Sequence, residues 1–364
     1  MAPPATWGLT ANLIARVIFA FISILLNWVP LRLLIRNGEF PAIVLIIDLV
    51  IMNLITIANS IIWRNDDYTQ WWDGAILCDA EVYLAVPLQT VYSAAIFTVM
   101  YNLAEQVKVA AIRPGLEPGR KTRRNLIQAA IIFPVPLIQI GFTYFDLAQR
   151  YLVGTLIGCF AFYDSSWPKT LVYDAPSAVF ALLSVPYAIL LWKRYDAIAK
   201  RTLSIFRSSD RVSLRINRTR RRLSRMSLAI LVIYLPVVLY YAISNGKDTA
   251  AAYQPYSFRR IRESNIPYPW DSILFVPSWV LPSTLINQPW LTIATSFAVV
   301  LFFGTTAEAQ EMYWLYARHL GIDNFLKSLK WKGGIWGRNA APTDSSSSPR
   351  NISPYPARDS MEYK

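Results

Sequence analysis

Histidine is almost missing from this chain: His319 is the only one in 364 residues. A metal centre built on paired imidazoles is therefore excluded. Cysteine is nearly as scarce, with two residues, Cys78 and Cys159. Two cysteines cannot make a disulfide framework; they allow one bridge, provided both reach an oxidising compartment. Charge is thin, at 16% of residues, where a soluble domain carries about 25%. Glycine does not group into a nucleotide-binding pattern. The last long apolar run, residues 290–317, contains no lysine, which excludes a retinal Schiff base there. No internal repeat is found. No cofactor and no enzymatic activity are expected.

What is abundant is apolar. Hydrophobic residues make up 54% of the chain, enough to favour one membrane domain over two soluble ones. A spanning helix needs about 20 mostly apolar residues. Seven segments qualify, near 12–35, 41–63, 80–106, 125–147, 172–192, 226–245 and 290–317. Residues 273–286 are apolar but short, and Pro277 and Pro282 interrupt them. They are expected to form a re-entrant or interfacial piece. No charged segment precedes the first run and Arg16 interrupts its start, so that run is expected to stay as a membrane helix.

The net charge of +13 is clustered between the apolar runs. That pattern points to membrane topology, not to nucleic acid. The stretch from Lys193 to Arg225 has twelve basic and two acidic residues. Residues 107–124 have six and one, and Arg32 and Arg36 flank the first turn. Basic short connections stay cytoplasmic. The opposite connection, 64–82, has one basic and five acidic residues. The N-terminus is therefore expected outside and the C-terminus inside. Residues 246–272 fit poorly, with Lys247, Arg259, Arg260 and Arg262, but long loops translocate largely regardless of charge. Trp7, Trp63, Trp71, Trp72, Trp167, Trp270, Trp279 and Trp290 fall at the expected outer ends, where indoles anchor at the interface.

The expected organisation is a spanning domain at 1–318, an amphipathic membrane-surface helix at 319–338 and a disordered cytoplasmic tail at 339–364. The surface helix rests on Ile322, Phe325, Leu326 and Leu329, spaced i, i+3, i+4, i+7. The tail is rich in Ser and Pro, with phosphorylation candidates at Ser345 to Ser348. The sequons at Asn217 and Asn351 face the cytoplasm in this topology and are not expected to carry glycans.

Both cysteines fall outside in this topology. A Cys78–Cys159 bridge would pin the second outer loop over the bundle; the bland alternative is two unrelated thiols. Asp48 and Asn59 lie eleven residues apart in the second span, on one face, with Asn27 a candidate partner. A buried charge in a membrane is expensive and usually paired or functional. The set reads either as a structural network or as a polar hinge. Prolines recur at Pro30, Pro87, Pro134, Pro136, Pro186 and Pro236. Pro236 is either a static kink or the pivot of a swinging half-helix.

Seven spans with a basic third inner loop suggest a G-protein-coupled receptor. The stretch IIWRNDDYTQWWDGAILCDAEVYL, residues 61–84, narrows this. Its Trp63, Asn65, Asp66, Asp67, Trp72, Gly74, Cys78 and Asp79 resemble the end of helix two and start of helix three in fungal receptors for lipopeptide mating pheromones, the a-factor receptor class. Gly158-Cys159 and Leu235-Pro236 resemble further elements of that family. The resemblance covers about residues 10–320. One departure is YNLAEQVKVA, where Asn102 stands in place of an expected arginine, leaving Glu105 and Lys108 as candidates at the inner end of helix three.

The resemblance implies an all-α, seven-helix plasma-membrane receptor. Its ligand would be a short peptide with a farnesylated, carboxymethylated C-terminal cysteine. Its partner inside would be a heterotrimeric G protein, met through the α subunit; membrane lipid and a homodimer are further candidate partners. Candidate ligand contacts are Trp63, Asp66, Asp67, Trp71, Trp72, Asp79, Tyr83 and Tyr163, with Glu81 as a further carboxylate. The alternative is that these carboxylates cap helices and these indoles anchor the membrane. Candidate G-protein contacts are Lys108, Arg215, Arg218, Arg221 and Arg225; candidate switch residues are Asp48, Asn59 and Pro236. A seven-helix transporter and a membrane scaffold are the competing classes, and only a receptor requires G-protein coupling.

Overall fold

The computed structural model describes residues 7–110, 118–202, 211–263 and 268–319. The expected surface helix and tail lie outside them, apart from His319 at the end of the last helix. Seven helices among the described residues are long and apolar enough to cross a membrane. They are built from α1 (Trp7–Asn37), α2 (Phe40–Ile62), α3 (Leu77–Ala110), α4 (Pro118–Ile132) with α5 (Pro134–Asp146), a π-helical turn (Lys169–Asp174) with α6 (Ala175–Thr202), and α7 (Arg211–Ala251). The short α8 (Phe258–Glu263) follows. The last span joins α9 (Ser283–Asn287), α10 (Pro289–Val299) and a second π-helical turn (Val300–Gly304); α11 (Ala307–His319) comes next.

Prolines shape these elements unevenly. Pro30, Pro87, Pro186 and Pro236 sit inside helices that continue through them. Pro134 instead opens α5 after a break at Phe133, because a proline cannot donate to the preceding turn. The expected seventh helix is also interrupted, at Thr305–Thr306, just beyond the π turn. Residues from Trp314 onward form a separate unit, of which the end of α11 is described.

One apolar cluster fills the bundle, with Leu45, Leu49, Ile96, Met100, Leu103 and Ile230 at its centre. Large apolar side chains also point outward: Phe21, Leu25, Ile138, Val232 and Ile233 are all at least half exposed. In water such a surface would aggregate; around a helical bundle it is what lipid requires.

Residues 273–286, expected as a re-entrant or interfacial piece, divide between a strand and the start of the last span. Ile273–Val276 is a strand, β3, and Ser283–Asn287 is the first turn of the last span. Pro277 ends the strand's pairing and Pro282 caps the helix, consistent with proline's place at element boundaries. β3 runs parallel to β1 (Leu147–Gly154), pairing Tyr151 with Ile273 and Gly154 with Val276. β1 pairs antiparallel with β2 (Gly158–Tyr163), matching Val153 to Cys159. The result is a three-stranded sheet in the order β2-β1-β3, joining the connection after the fourth span to the one before the seventh.

Candidate functional site

Cys78 and Cys159 are joined by a disulfide, with Cα atoms 5.1 Å apart across 81 residues of sequence. Both sulfurs are buried, in an apolar cluster shared with Trp63, Val82, Tyr151, Val153, Tyr163 and Tyr173. Two glycines let the chain close on this bridge. Gly74 has φ 78°, and a Cβ there would lie 2.2 Å from the Cys78 sulfur. Gly158 has φ 70°, and a Cβ there would lie 2.2 Å from Asn59 Cγ. Glycine adopts positive φ at no steric cost, and its missing Cβ permits both close approaches.

The loop carboxylates divide by role. Asp66 is buried and works as a clamp among three connections. It accepts from the Thr155 hydroxyl in the β1–β2 turn, from the Ser278 amide at 2.8 Å and from the Ser278 hydroxyl at 2.7 Å. Asp79 forms a two-pronged pair with Arg150 of β1, at 2.8 and 2.5 Å; that bond raises the Arg150 guanidinium above its ordinary value. Glu81 is buried and accepts from Asn59, which also donates to the Ile157 carbonyl at 2.9 Å. Among the described residues Asp67 is bonded only locally, accepting from Thr69 at 2.5 Å, and it stays partly open.

The indoles divide too. Trp63 is fully buried, donates to the Trp72 carbonyl at 3.1 Å and stacks parallel to the Trp72 ring at 6.2 Å. Trp72 covers Trp63 and is 47% exposed. Trp71 donates to the Asn65 carbonyl at 2.9 Å and meets Phe275 of β3 edge-on. Tyr83 is half-buried at the rim of the same cluster, and Tyr163 stacks on Tyr173 at 3.9 Å. The eight candidate contacts therefore converge on the disulfide end. Trp63, Asp66 and Tyr163 are buried in the loop frame, whereas Asp67, Trp71, Trp72, Asp79 and Tyr83 each keep part of their surface exposed.

Several residues of this frame were not marked by sequence reasoning. Arg16, fully buried, donates to the Leu156 carbonyl at 3.1 Å and to the Ile286 carbonyl at 2.5 Å. Its second amine also reaches Asn12 at 3.3 Å. Leu156, with φ 63°, is held in that strained conformation by Arg16, by Ser60 at 3.2 Å and by its own amide donating to Trp63. A charge inside an apolar run was the available signal for Arg16; Thr155 and Ser278 carried none.

The switch candidates are not one network. Asp48 is buried, and its carboxylate oxygens have no hydrogen-bond partner among the described residues. Asn27 donates instead to the Ser23 and Ser296 carbonyls, and Asn53, not Asp48, reaches the Ser296 hydroxyl at 2.9 Å. Asn59 belongs to the loop frame. Pro236 lies within α7. At the far end Asn102 donates to Glu39 at 3.2 Å, and Arg124 donates to the Gly38 carbonyl at 3.1 Å. That ties α3 and α4 to the first turn. Arg225 is exposed there; the side chains of Lys108, Arg215, Arg218 and Arg221 lie outside the description.

Comparison with known proteins agrees with this architecture. The family model described as the pheromone A receptor matches residues 15–321. The chain is 27% identical over 309 residues to the pheromone a factor receptor of Saccharomyces cerevisiae, covering 85% of this chain and 61% of that one. It is 22% identical over 299 residues to the pheromone M-factor receptor of Schizosaccharomyces pombe, covering 79% of this chain and 74% of that one. The chain thus spans about three fifths of the Saccharomyces relative. With seven spans, a bridged outer-type loop frame and a family match that begins in α1 and ends past α11, this multi-pass membrane chain belongs to the pheromone A receptor family.

Proposed function

We propose that the chain is a G-protein-coupled receptor for a farnesylated, carboxymethylated peptide pheromone, acting in mating at the plasma membrane. The disulfide end faces outward, where a bridge persists, and the basic end meets the G protein. The observation that carries the reading is the group of Asp67, Trp71, Trp72, Asp79 and Tyr83 on one cross-linked frame at that end. Carboxylates suit a peptide's amine or basic side chains, and indoles suit prenyl carbons, worth ~0.8 kcal/mol per buried CH2. Transport is not favoured by the family match.

The test is expression in a fungal reporter strain lacking its own receptor. A farnesylated peptide should trigger Gα-dependent output, and the same peptide without the prenyl group should not. A strain that responds to neither, with receptor at the surface, removes the reading.

Two site predictions accompany it. With surface expression equalised, Trp72→Ala should weaken potency by about ten-fold, as loss of an aromatic anchor does. Asp67→Asn should cost no more than about five-fold, the range of an exposed charge pair. Wild-type potency in both variants would make the loop a membrane anchor. At the other end, neutralising Arg215, Arg218, Arg221 and Arg225 together should abolish signalling and leave pheromone binding intact. Normal signalling by that variant would leave these charges with a topological role alone.

A further inference from the structure

The first span turns one stripe of side chains toward the bilayer. Ile14, Ile18, Phe21, Leu25, Trp28 and Ile35 follow one another along α1 at steps of three, four or seven, and each is at least half exposed. Such steps keep side chains on one side of a helix. Arg32, four residues after Trp28, continues the stripe and is exposed; Arg36, one turn further, is exposed as well. Arg16, the other arginine of α1, faces the opposite way. It is fully buried and donates to the Leu156 and Ile286 carbonyls. Arg16 thus belongs to the bundle, whereas Arg32 and Arg36 face out of it.

The protein does not neutralise these two charges. Among the described residues neither guanidinium has a hydrogen-bond or ion-pair partner. Arg32 lies over the Trp28 ring, 5.3 Å from its centroid. The nearest carboxylate along the chain, Glu39, is turned inward: it is buried and accepts from Asn102 of α3 at 3.2 Å. A further arginine reaches the same turn from α4, where Arg124 donates to the Gly38 carbonyl at 3.1 Å. The end of α1 is therefore rich in cations and short of anions.

Depth decides what can answer them. From Trp7 to Arg32 the helix rises ~37 Å at 1.5 Å per residue, and a hydrocarbon core is about 30 Å thick. With Trp7 at one interface, Arg32 reaches the level of the opposite headgroups. Trp28, one turn back, falls where indoles settle at the interface. A guanidinium grips phosphate through two parallel hydrogen bonds. A second copy of the chain suits the stripe less well. Copies in one membrane run parallel, so a two-fold pairing along the stripe would set Arg32 against Arg32 at one depth, where like charges repel.

We propose that the basic end of α1 is a binding site for an anionic glycerophospholipid. Arg32 and Arg36 hold the headgroup phosphate, Trp28 packs on the glycerol region, and Leu25 and Phe21 lie along an acyl chain. In a zwitterionic lipid the headgroup cation offsets the phosphate, so the site selects a net negative headgroup. The preference is about five-fold per arginine and about thirty-fold for the pair. The site goes beyond the pheromone reading and needs no pheromone.

The test uses the full-length chain in nanodiscs and two photo-crosslinking probes, phosphatidylserine and phosphatidylcholine with the same diazirine-bearing acyl chain. Digestion and mass spectrometry read the adducts on residues 28–37. In the wild type the serine lipid should label this segment about five- to thirty-fold more than the choline lipid. Arg32→Gln with Arg36→Gln should bring that ratio close to unity. Arg259→Gln, at an exposed pair with Glu263, should leave it unchanged. The wild-type comparison needs no variant, so a misfolded mutant does not shield the proposal. Equal labelling of the wild type by both probes would leave Arg32 and Arg36 with a topological role alone and overturn it. A segment that neither probe labels, in a chain whose Leu25→Cys variant cross-links to itself, would give the stripe to a second copy and overturn it too. Both leaflets carry the same probe and no pheromone is present, so the result stands apart from the receptor reading.

Discussion

Gly158→Ala is expected to remove nearly all folded receptor from the cell surface. The new methyl group would sit 2.2 Å from Asn59 Cγ, at a residue with φ 70°. Neither strain can relax cheaply, because the next residue is Cys159, fixed to Cys78. Asn59 cannot simply swing away either, since it is bonded to Glu81 and to the Ile157 carbonyl. Removing the bridge itself, as Cys78→Ser with Cys159→Ser, should cost about 2–5 kcal/mol and produce the same loss. Gly141→Ala is the matched control: nothing lies within 4 Å of its added carbon, and alanine is the better helix former. Thermal melts of detergent-solubilised receptor, with surface counts, would decide it. A Gly158→Ala receptor that melts with wild type would show that the two loops do not pack as described.

Asp66→Ala should be nearly as damaging, although it changes a loop residue. The substitution would orphan the Thr155 hydroxyl and the Ser278 amide and hydroxyl at once. A buried donor left without its acceptor costs about 1–3 kcal/mol. Asp66→Asn should do less harm, since one acceptor oxygen remains. The neighbouring Asp67→Ala should melt within about 1 kcal/mol of wild type, since Asp67 is partly open and bonded within its own turn. The contrast between adjacent aspartates separates a clamp from a surface charge. Equal melting of Asp66→Ala and Asp67→Ala would place Asp66 in solvent, against its observed burial.

Much of this was legible in the sequence because it is local. A run of some twenty apolar residues needs no tertiary knowledge to be recognised as a span, and the seven segments follow from that. Cys78 and Cys159 were paired by number and side alone. The convergence of Trp63, Trp72 and Asp79 was carried by a short continuous motif. What stayed hidden depends on distant partners. Nothing in ILFV announces that Tyr151, over 120 residues earlier, is its neighbour. A short continuous apolar run is shared by strands and short helical pieces, and the prolines around it suit either reading. The division of Asp66 from Asp67 was equally invisible, since it depends on Ser278 reaching back across the chain. Arg16 showed only as an interruption of a span, although its two carbonyl partners, Leu156 and Ile286, make it a hub.

The sheet has a mechanical side. Through its connections, β1 holds the end of the fourth span and β3 the beginning of the seventh. α7 is fastened near the same level, where Tyr241 donates to the Thr284 carbonyl at 2.8 Å and Asn245 to Asp174. Movement there would have to break these bonds or carry the strand pairings with it, so this end would act as the fulcrum of any tilt of α7. From Tyr241 to Arg211 the helix extends for ~45 Å at 1.5 Å per residue. A rocking of about 5° about that fulcrum carries the basic end sideways by ~4 Å over such an arm. A displacement too small to disturb the strands at one end would thus be magnified at the other.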